Sequence, residues 1–227
     1  MAKIRMVVLD MAGTTVNENN LVYKTLLAAI NNDGFRLSLE DVLLHGAGKE
    51  KRQAIVDVLT SKTNLQQVDE AADRIFVNFK LALDEAYDKA EILTYLGMDE
   101  LFSWLRTNQI RIVLNTGYDS KTANKLLQRL DWKKGKNFDA LITADDVAKG
   151  RPHPDMIFRA MELFHITNAS EVLKAGDSEI DILEGKNAGC GITIGVLSGA
   201  QTREQLQAAA PDFILNDVTE LQTIIQN

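Results

Sequence analysis

The chain has 227 residues, 45% hydrophobic and 25% charged, a soluble globular composition with enough length to bury a sizeable core. Acidic side chains outnumber basic ones 32 to 25, and the net charge of -7 repels a phosphate backbone, so no nucleic acid partner is expected. Only 6% of residues are aromatic, which disfavours an all-β sandwich; the single cysteine, Cys190, cannot form an internal disulfide, and no run approaches the roughly 18 apolar residues of a membrane span.

The opening residues run straight into a strand-like segment without a secretory apolar region, the pattern expected of a cytoplasmic protein with no membrane partner. Short β-branched runs that end in polar or glycine residues follow at Ile4–Leu9, Ile110–Asn115, Ala140–Thr143, Val172–Ala175, Ile192–Val196 and Phe213–Leu215. They alternate with helical patterns, which predicts an α/β fold with a Rossmann-like three-layer parallel-sheet core. Between the first two runs lie about 100 residues, far more than the roughly 10–12 that a crossover needs, so a segment is inserted there.

The insertion is helical by period. Val22, Leu26, Leu27 and Ile30 share one face, Ala54, Ile55, Val58 and Leu59 a second, and Val68, Ala72, Ile75, Phe76, Phe79 and Leu83 a third. Asp33-Gly34 and Ser61–Asn64 punctuate these helices, and Asp84–Leu93 is read as the return towards the sheet. The expected organisation is a catalytic core of residues 1–16 and 90–227 and an inserted helical cap domain of residues 17–89.

In an open parallel sheet, ligands sit beyond the carboxyl ends of the strands. Asp10 stands at the first such end, followed by Gly13, Thr14 and Thr15, whose amides and hydroxyls suit an anionic oxygen. Thr116, Gly117 and Tyr118 follow the second run, Arg151 lies in the Pro-stiffened loop after the third, and Asp177 and Asp181 follow the fourth. Each group alone fits turn or capping chemistry. Four of them converging on one crevice favour a functional site.

This ordered set resembles the haloacid dehalogenase-like hydrolase superfamily over the whole chain. The resemblance implies that Asp10 is the nucleophile, Thr116 the hydroxyl of the second motif, Arg151 the basic residue of the third, and Asp177 and Asp181 the acids of the fourth. It also implies a Mg²⁺ ion, held by the Asp10 and Asp177 carboxylates and the Ala12 carbonyl with Asp181 behind them, and a cap inserted after the first strand. Phosphatase members carry a second aspartate two residues after the nucleophile, where this chain has Ala12.

With that departure, the run from Asp10 to Thr15, Thr116-Gly117-Tyr118 and Gly150-Arg151-Pro152 resemble the phosphonoacetaldehyde hydrolase (phosphonatase) branch. That branch forms a Schiff base through a cap lysine in a Gly-x-x-Lys stretch, which Gly46-Ala47-Gly48-Lys49 resembles, making Lys49 the candidate. Lys49 is equally readable as a solvated member of the Lys49-Glu50-Lys51-Arg52 charge run, and Arg52 stands where the branch has a histidine. The chemistry is consistent: an alkoxide leaving group wants a proton that Ala12 cannot give, whereas a carbanion leaving group wants an imine to receive its electrons.

The expected substrate is therefore a small phosphonate or phosphate ester, cleaved through an aspartyl-phosphate. Gly13, Thr14, Gly117, Tyr118 and His45 are expected to line its site. A phosphomonoesterase of the same superfamily and, from another class, a phospho-accepting signalling module remain as alternatives. A homodimer is allowed, since nothing in the sequence fixes the oligomeric state. Gly46–Lys49 lacks the glycine that a P-loop needs, and His45, His153 and His165 lack the spacing of zinc ligands.

Overall fold

A computed structural model describes residues 3–226. The first strand, β1 (Met6–Asp10), is apolar up to its last residue and buried throughout, as a central parallel strand covered on both faces must be. Two short strands, β2 (Val16–Asn17) and β3 (Leu93–Thr94), pair antiparallel and bracket the insertion. Between them lie α1 (Leu21–Asn32), α2 (Leu39–Gly46), α3 (Lys51–Lys62) and α4 (Val68–Lys89). The rest alternates: α5 (Met98–Thr107), β4 (Arg111–Asn115), α6 (Ser120–Arg129), β5 (Ala140–Ile142), α7 (Asp155–Leu163) and β6 (Val172–Gly176). It closes with α8 (Glu179–Ala188), β7 (Ile192–Val196), α9 (Arg203–Ala208), β8 (Phe213–Leu215) and α10 (Leu221–Ile225).

The main sheet has the order β5-β4-β1-β6-β7-β8 with every pair parallel, so β1 sits inside it and the order reverses beside β1. Alternate residues of β1 divide between the two faces. Met6 and Val8 pack with Val113, Met156, Ile157 and Ala160, while Val7 and Leu9 join a larger core that continues into the inserted helices. This is the expected α/β architecture, with helices on both faces of the sheet.

The insertion differs from its expected course at two points. Helix α2 has no long apolar row and starts instead on a capping box, in which the Ser38 hydroxyl accepts from the Asp41 N–H and the Asp41 carboxylate accepts from the Ser38 N–H. Residues 84–89, read as part of the return, belong to α4. Tyr87 extends the row of Ile75, Phe79 and Leu83 by one more turn, and burying its ring stabilises the extra helix. No helix among the described residues is long and apolar enough to cross a membrane.

Candidate active site

The strand order puts four carboxylates and two cations at the carboxyl edge of β1. Asp10 pairs in register with Asn115 of β4, and Asp177 follows β6 on the other side. Asp181 lies in the first turn of α8, where its carboxylate accepts from the Ser178 hydroxyl. Arg151 reaches in from the loop before α7: its Nη1 is 2.7 Å from Asp10 Oδ1 and 3.0 Å from Asp181 Oδ1. Carboxylate oxygens of Asp10, Asp177 and Asp181 all lie within 4.8 Å of one another, and all three residues are buried.

Three glycines make this crowding possible. A Cβ on Gly13, which has φ +82°, would lie 2.2 Å from Asp177 Oδ2, one on Gly199 would lie 2.0 Å from the same oxygen, and one on Gly176 would lie 2.1 Å from Asp181 Cγ. The Asp177 carboxylate accepts from the Ala200 N–H at 2.6 Å.

The electrostatics are uneven. Burial, with the charges of Asp10 and Asp181, pushes the Asp177 carboxyl well above the usual range. Burial also raises Asp10, against the pull of Arg151. At Asp181 burial is outweighed by Arg151 and Lys174, which hold the carboxyl below the usual range. With Glu184, the four buried carboxylates face two buried partners, Arg151 and Lys174, a net deficit of two positive charges when all are ionised. The donor set is hard, oxygen-rich and short of positive charge, so it fits a small divalent cation.

Thr116 and Thr14 line the same edge. Thr116 is buried and accepts from the Tyr118 N–H at 3.2 Å. The Thr14 hydroxyl, in the turn that follows Asp10, is fully buried and has no hydrogen-bond partner among the described residues. Thr15 instead ties its hydroxyl to the Asp10 carbonyl at 2.9 Å, a bond that shapes the turn.

The inserted segment presents a different lysine from the one expected. Lys49 ion-pairs with Asp57, and both side chains are about a quarter exposed, 28% each. Lys51 is buried: its Nζ donates to the Lys49 carbonyl at 2.6 Å and lies 5.5 Å and 5.2 Å from the ring centroids of Tyr23 and Tyr118. Burial lowers the proton affinity of this amine; Asp10 and Glu50 oppose the shift, and the positive charge of Arg151 adds to it. The turn explains which of the two lysines is buried. The Glu50 carboxylate caps α3 by accepting from the Arg52 and Gln53 N–H groups, which places Lys51 in the first helical turn facing inward and leaves Lys49 on the loop before it.

Gly48, at φ +72°, seats that loop on the core. A Cβ there would lie 2.3 Å from both Ser178 Oγ and Ile180 Cγ2, and one on Gly117 would lie 2.7 Å from the Lys49 carbonyl oxygen. His45 does not join the cluster. It lies in the last turn of α2 with its charged neighbours Lys62, Lys49, Asp41 and Asp57 all on the insertion, and burial followed by the two lysines lowers its proton affinity. Beside Lys51 and Tyr118 a cleft of about 560 Å³ opens to solvent, floored by Phe76, Phe79 and Leu83 of α4.

The family profile of the haloacid dehalogenase-like hydrolases matches residues 4–189. The chain belongs to that family. It is 25% identical to a phosphonoacetaldehyde hydrolase of Latilactobacillus sakei subsp. sakei (strain 23K) over 265 residues, 99% of this chain and 96% of that one. It is also 28% identical to the pyrophosphatase PpaX of Bacillus cereus (strain B4264) over 235 residues, 99% of this chain and 98% of that one. Among solved structures, a phosphonoacetaldehyde hydrolase like protein from Oleispira antarctica superimposes with a TM-score of 0.84 at 21% identity, covering 99% of this chain and 92% of that one. A predicted phosphoglycolate phosphatase from Haemophilus somnus 129pt follows at 0.77 and 18%, covering 99% of each chain. These structural likenesses bear on the fold.

The hydrolase also contains polar groups that sequence analysis passed over. Lys51 had a signal, because Gly48-Lys49-Glu50-Lys51 repeats the Gly-x-x-Lys spacing two residues beyond the first occurrence. Lys174 is a charged residue inside an otherwise apolar strand, and Glu184 lies one turn beyond Asp181 on α8; both are fully buried. Glu18, Tyr87 and Tyr118 form a second buried polar group: the two tyrosine hydroxyls are 2.7 Å apart, and Tyr87 donates to Glu18 at 3.4 Å.

Proposed function

We propose that this hydrolase cleaves a small organophosphorus metabolite by transferring its phosphoryl group to Asp10 and then to water, with phosphonoacetaldehyde-type P–C cleavage as the reaction supported best. One observation carries this reading: a buried lysine amine, Lys51, with lowered proton affinity stands between two tyrosine rings close enough to feel the charge of Asp10, while position 12 offers no proton donor. On this reading residues 17–89 form a cap over a core of residues 1–16 and 90–227.

In its neutral form the Lys51 amine adds to the substrate aldehyde and water leaves, giving an imine. Asp10 attacks phosphorus, the P–C bond breaks, and its electron pair moves into the C–C–N unit as an enamine, so no free carbanion forms. Protonation of the enamine carbon and addition of water release acetaldehyde and regenerate the amine; hydrolysis of the aspartyl-phosphate releases phosphate. Arg151 and Thr116 hold phosphoryl oxygens as negative charge spreads over them. Asp10, Asp177 and the Ala12 carbonyl would hold a Mg²⁺ ion with Asp181 behind. That ion, when bound, supplies positive charge that offsets the repulsion between nucleophile and phosphoryl group. The cleft beside Lys51 gives a small molecule its route in.

The second reading, cleavage of a phosphate ester or pyrophosphate, draws on the pyrophosphatase relatives that match the chain over the same span. There the protonated Lys51 would donate to the leaving oxygen in place of the residue missing at position 12. Turnover of phosphonoacetaldehyde against a panel of phosphate monoesters and pyrophosphate, with borohydride added during the reaction, separates them. P–C cleavage with a reduced adduct mapped to the Lys51 peptide supports the first. Ester hydrolysis without any adduct supports the second.

A further inference from the structure

Arg151 carries the positive charge nearest the Asp10 nucleophile, and its aim depends on groups behind it. Its guanidinium has three nitrogens, and each is engaged. Nε is 3.1 Å from Glu184 Oε2, and Nη2 donates to the Asn115 carbonyl at 2.9 Å and to Asn115 Oδ1 at 2.7 Å. Nη1 faces Asp10, Asp181 and, at 3.3 Å, the Gly48 carbonyl of the inserted segment. The Asn115 Nδ2 in turn donates to both Glu184 oxygens, at 3.1 and 2.9 Å. Arg151, Glu184 and Asn115 therefore form a closed triangle in which each member bonds the other two.

Lys174 braces that triangle from the sheet side. Its Nζ donates to Asn115 Oδ1 at 2.9 Å and to Asp181 Oδ1 at 2.7 Å, and lies 3.4 Å from Glu184 Oε2. Glu184, Lys174 and Asn115 are all fully buried. A guanidinium gripped along its Nε and Nη2 edges cannot rotate, so its remaining Nη1 is held towards the reacting carboxylate. A lysine at 151 has no planar fork by which to be gripped in this way.

We propose that Glu184 is a positioning residue for the reaction: through the triangle it fixes the plane of Arg151, so that Nη1 meets the charge that develops at phosphorus. The inference rests on the reading that Arg151 serves a phosphoryl group beside Asp10. Glu184 acts on Asp10 through Arg151, and loss of such an outer partner has an expected effect of about tenfold to a hundredfold.

The test uses vanadate, which can adopt the five-coordinate geometry of phosphoryl transfer, and inorganic phosphate, which cannot, each titrated calorimetrically in the presence of Mg²⁺. Glu184→Gln should weaken vanadate by about tenfold to a hundredfold and phosphate by no more than about threefold, because aim matters most where charge develops. Glu184→Asp, which keeps the charge and shortens the reach, should show the same split to a smaller degree. Equal weakening of both anions, or no weakening of either, overturns the proposal. Arg151→Lys is measured alongside. If it too leaves vanadate binding intact, the reading of Arg151 itself fails; if it weakens vanadate while both Glu184 variants do not, only the positioning inference fails.

Where Glu184→Gln does not fold, the pair Lys174→Met with Glu184→Gln, which leaves the net charge of the cluster unchanged, replaces it beside Glu184→Asp. Restored folding with vanadate still weakened supports positioning. Vanadate affinity restored together with the fold shows that the pair serves folding alone.

Discussion

Arg151 and Lys51 are both buried and both feel the charge of Asp10, and their surroundings drive them in opposite directions. Burial alone would lower the proton affinity of Arg151, yet Asp181, Asp10 and Glu184 outweigh it and fix the guanidinium as a permanent charge. Lys51 is buried to a similar degree, but its amine donates to a neutral carbonyl and forms no ion pair with a carboxylate among the described residues, so burial outweighs the charges of Asp10 and Glu50 and pushes the amine towards the neutral form. The number of paired carboxylates separates the two, more than the depth of burial. One side of the site is built to keep a charge, the other to give up a proton.

The contrast predicts its own failures. Asp10→Asn should reduce turnover by at least about a thousandfold and abolish any acid-labile phosphoryl label, because no other group can take its place as nucleophile. Retention of wild-type rates would break the sheet side of the comparison. On the other side, Lys51→Met should lower aldehyde-dependent turnover by about a hundredfold or more, whereas Lys49→Met should stay within about threefold. Peptide mapping of the borohydride adduct checks this independently, and an adduct on Lys49 would reverse the assignment.

A pH titration sharpens it further. Imine formation needs the unprotonated amine, so the trapping rate should rise with pH and level off below the ordinary lysine value of 10.5. The sign for stability follows: the folded amine binds protons more weakly than the unfolded one, so the Lys51 contribution to stability falls as pH drops through the unfolded lysine range and stops falling below the depressed folded value. Lys51→Met should flatten both trends.

Smaller effects are expected where the inserted loop meets the core. Gly48→Ala forces a Cβ onto Ser178 and Ile180 at a positive φ, and should cost about 1–3 kcal/mol in unfolding measurements while lowering turnover through Lys51. Ser38→Ala removes the cap of α2 and should cost about 1 kcal/mol with turnover unchanged. A large loss of activity from Ser38→Ala would mean that the start of α2 is less independent of the site than its bonding indicates.

The same contrast governs what was legible in the sequence. The six strands of the main sheet were readable because buried parallel strands are mostly apolar runs, and their ends mark where ligands can reach. Asp10, Arg151, Asp177 and Asp181 stand at such ends, and the fold does bring those four together. Asn115, Lys174 and Glu184 were hidden because each is a single polar residue within an apolar pattern, and only the pairing of β1 with β4 and β6 shows that they meet. Lys51 was hidden by two overlapping Gly-x-x-Lys spacings. The choice between them depends on where α3 begins, and that depends on the Glu50 cap, a detail of one carboxylate that periodicity does not resolve.

The position of β1 also bears on how the chain reaches this state. Met6 pairs with Arg111 on one side and Val172 on the other, so the first strand made is flanked by partners made much later. The insertion, by contrast, contains contacts between neighbouring helices, α2 with α3 and α3 with α4, which need little chain to be ordered, besides the packing of α1 on α4. Asp10 therefore gains its surroundings only once β4 and β6 have both closed onto β1, so that Asn115 and Asp177 reach it through long-range pairing of the chain, whose closure carries the larger entropic cost.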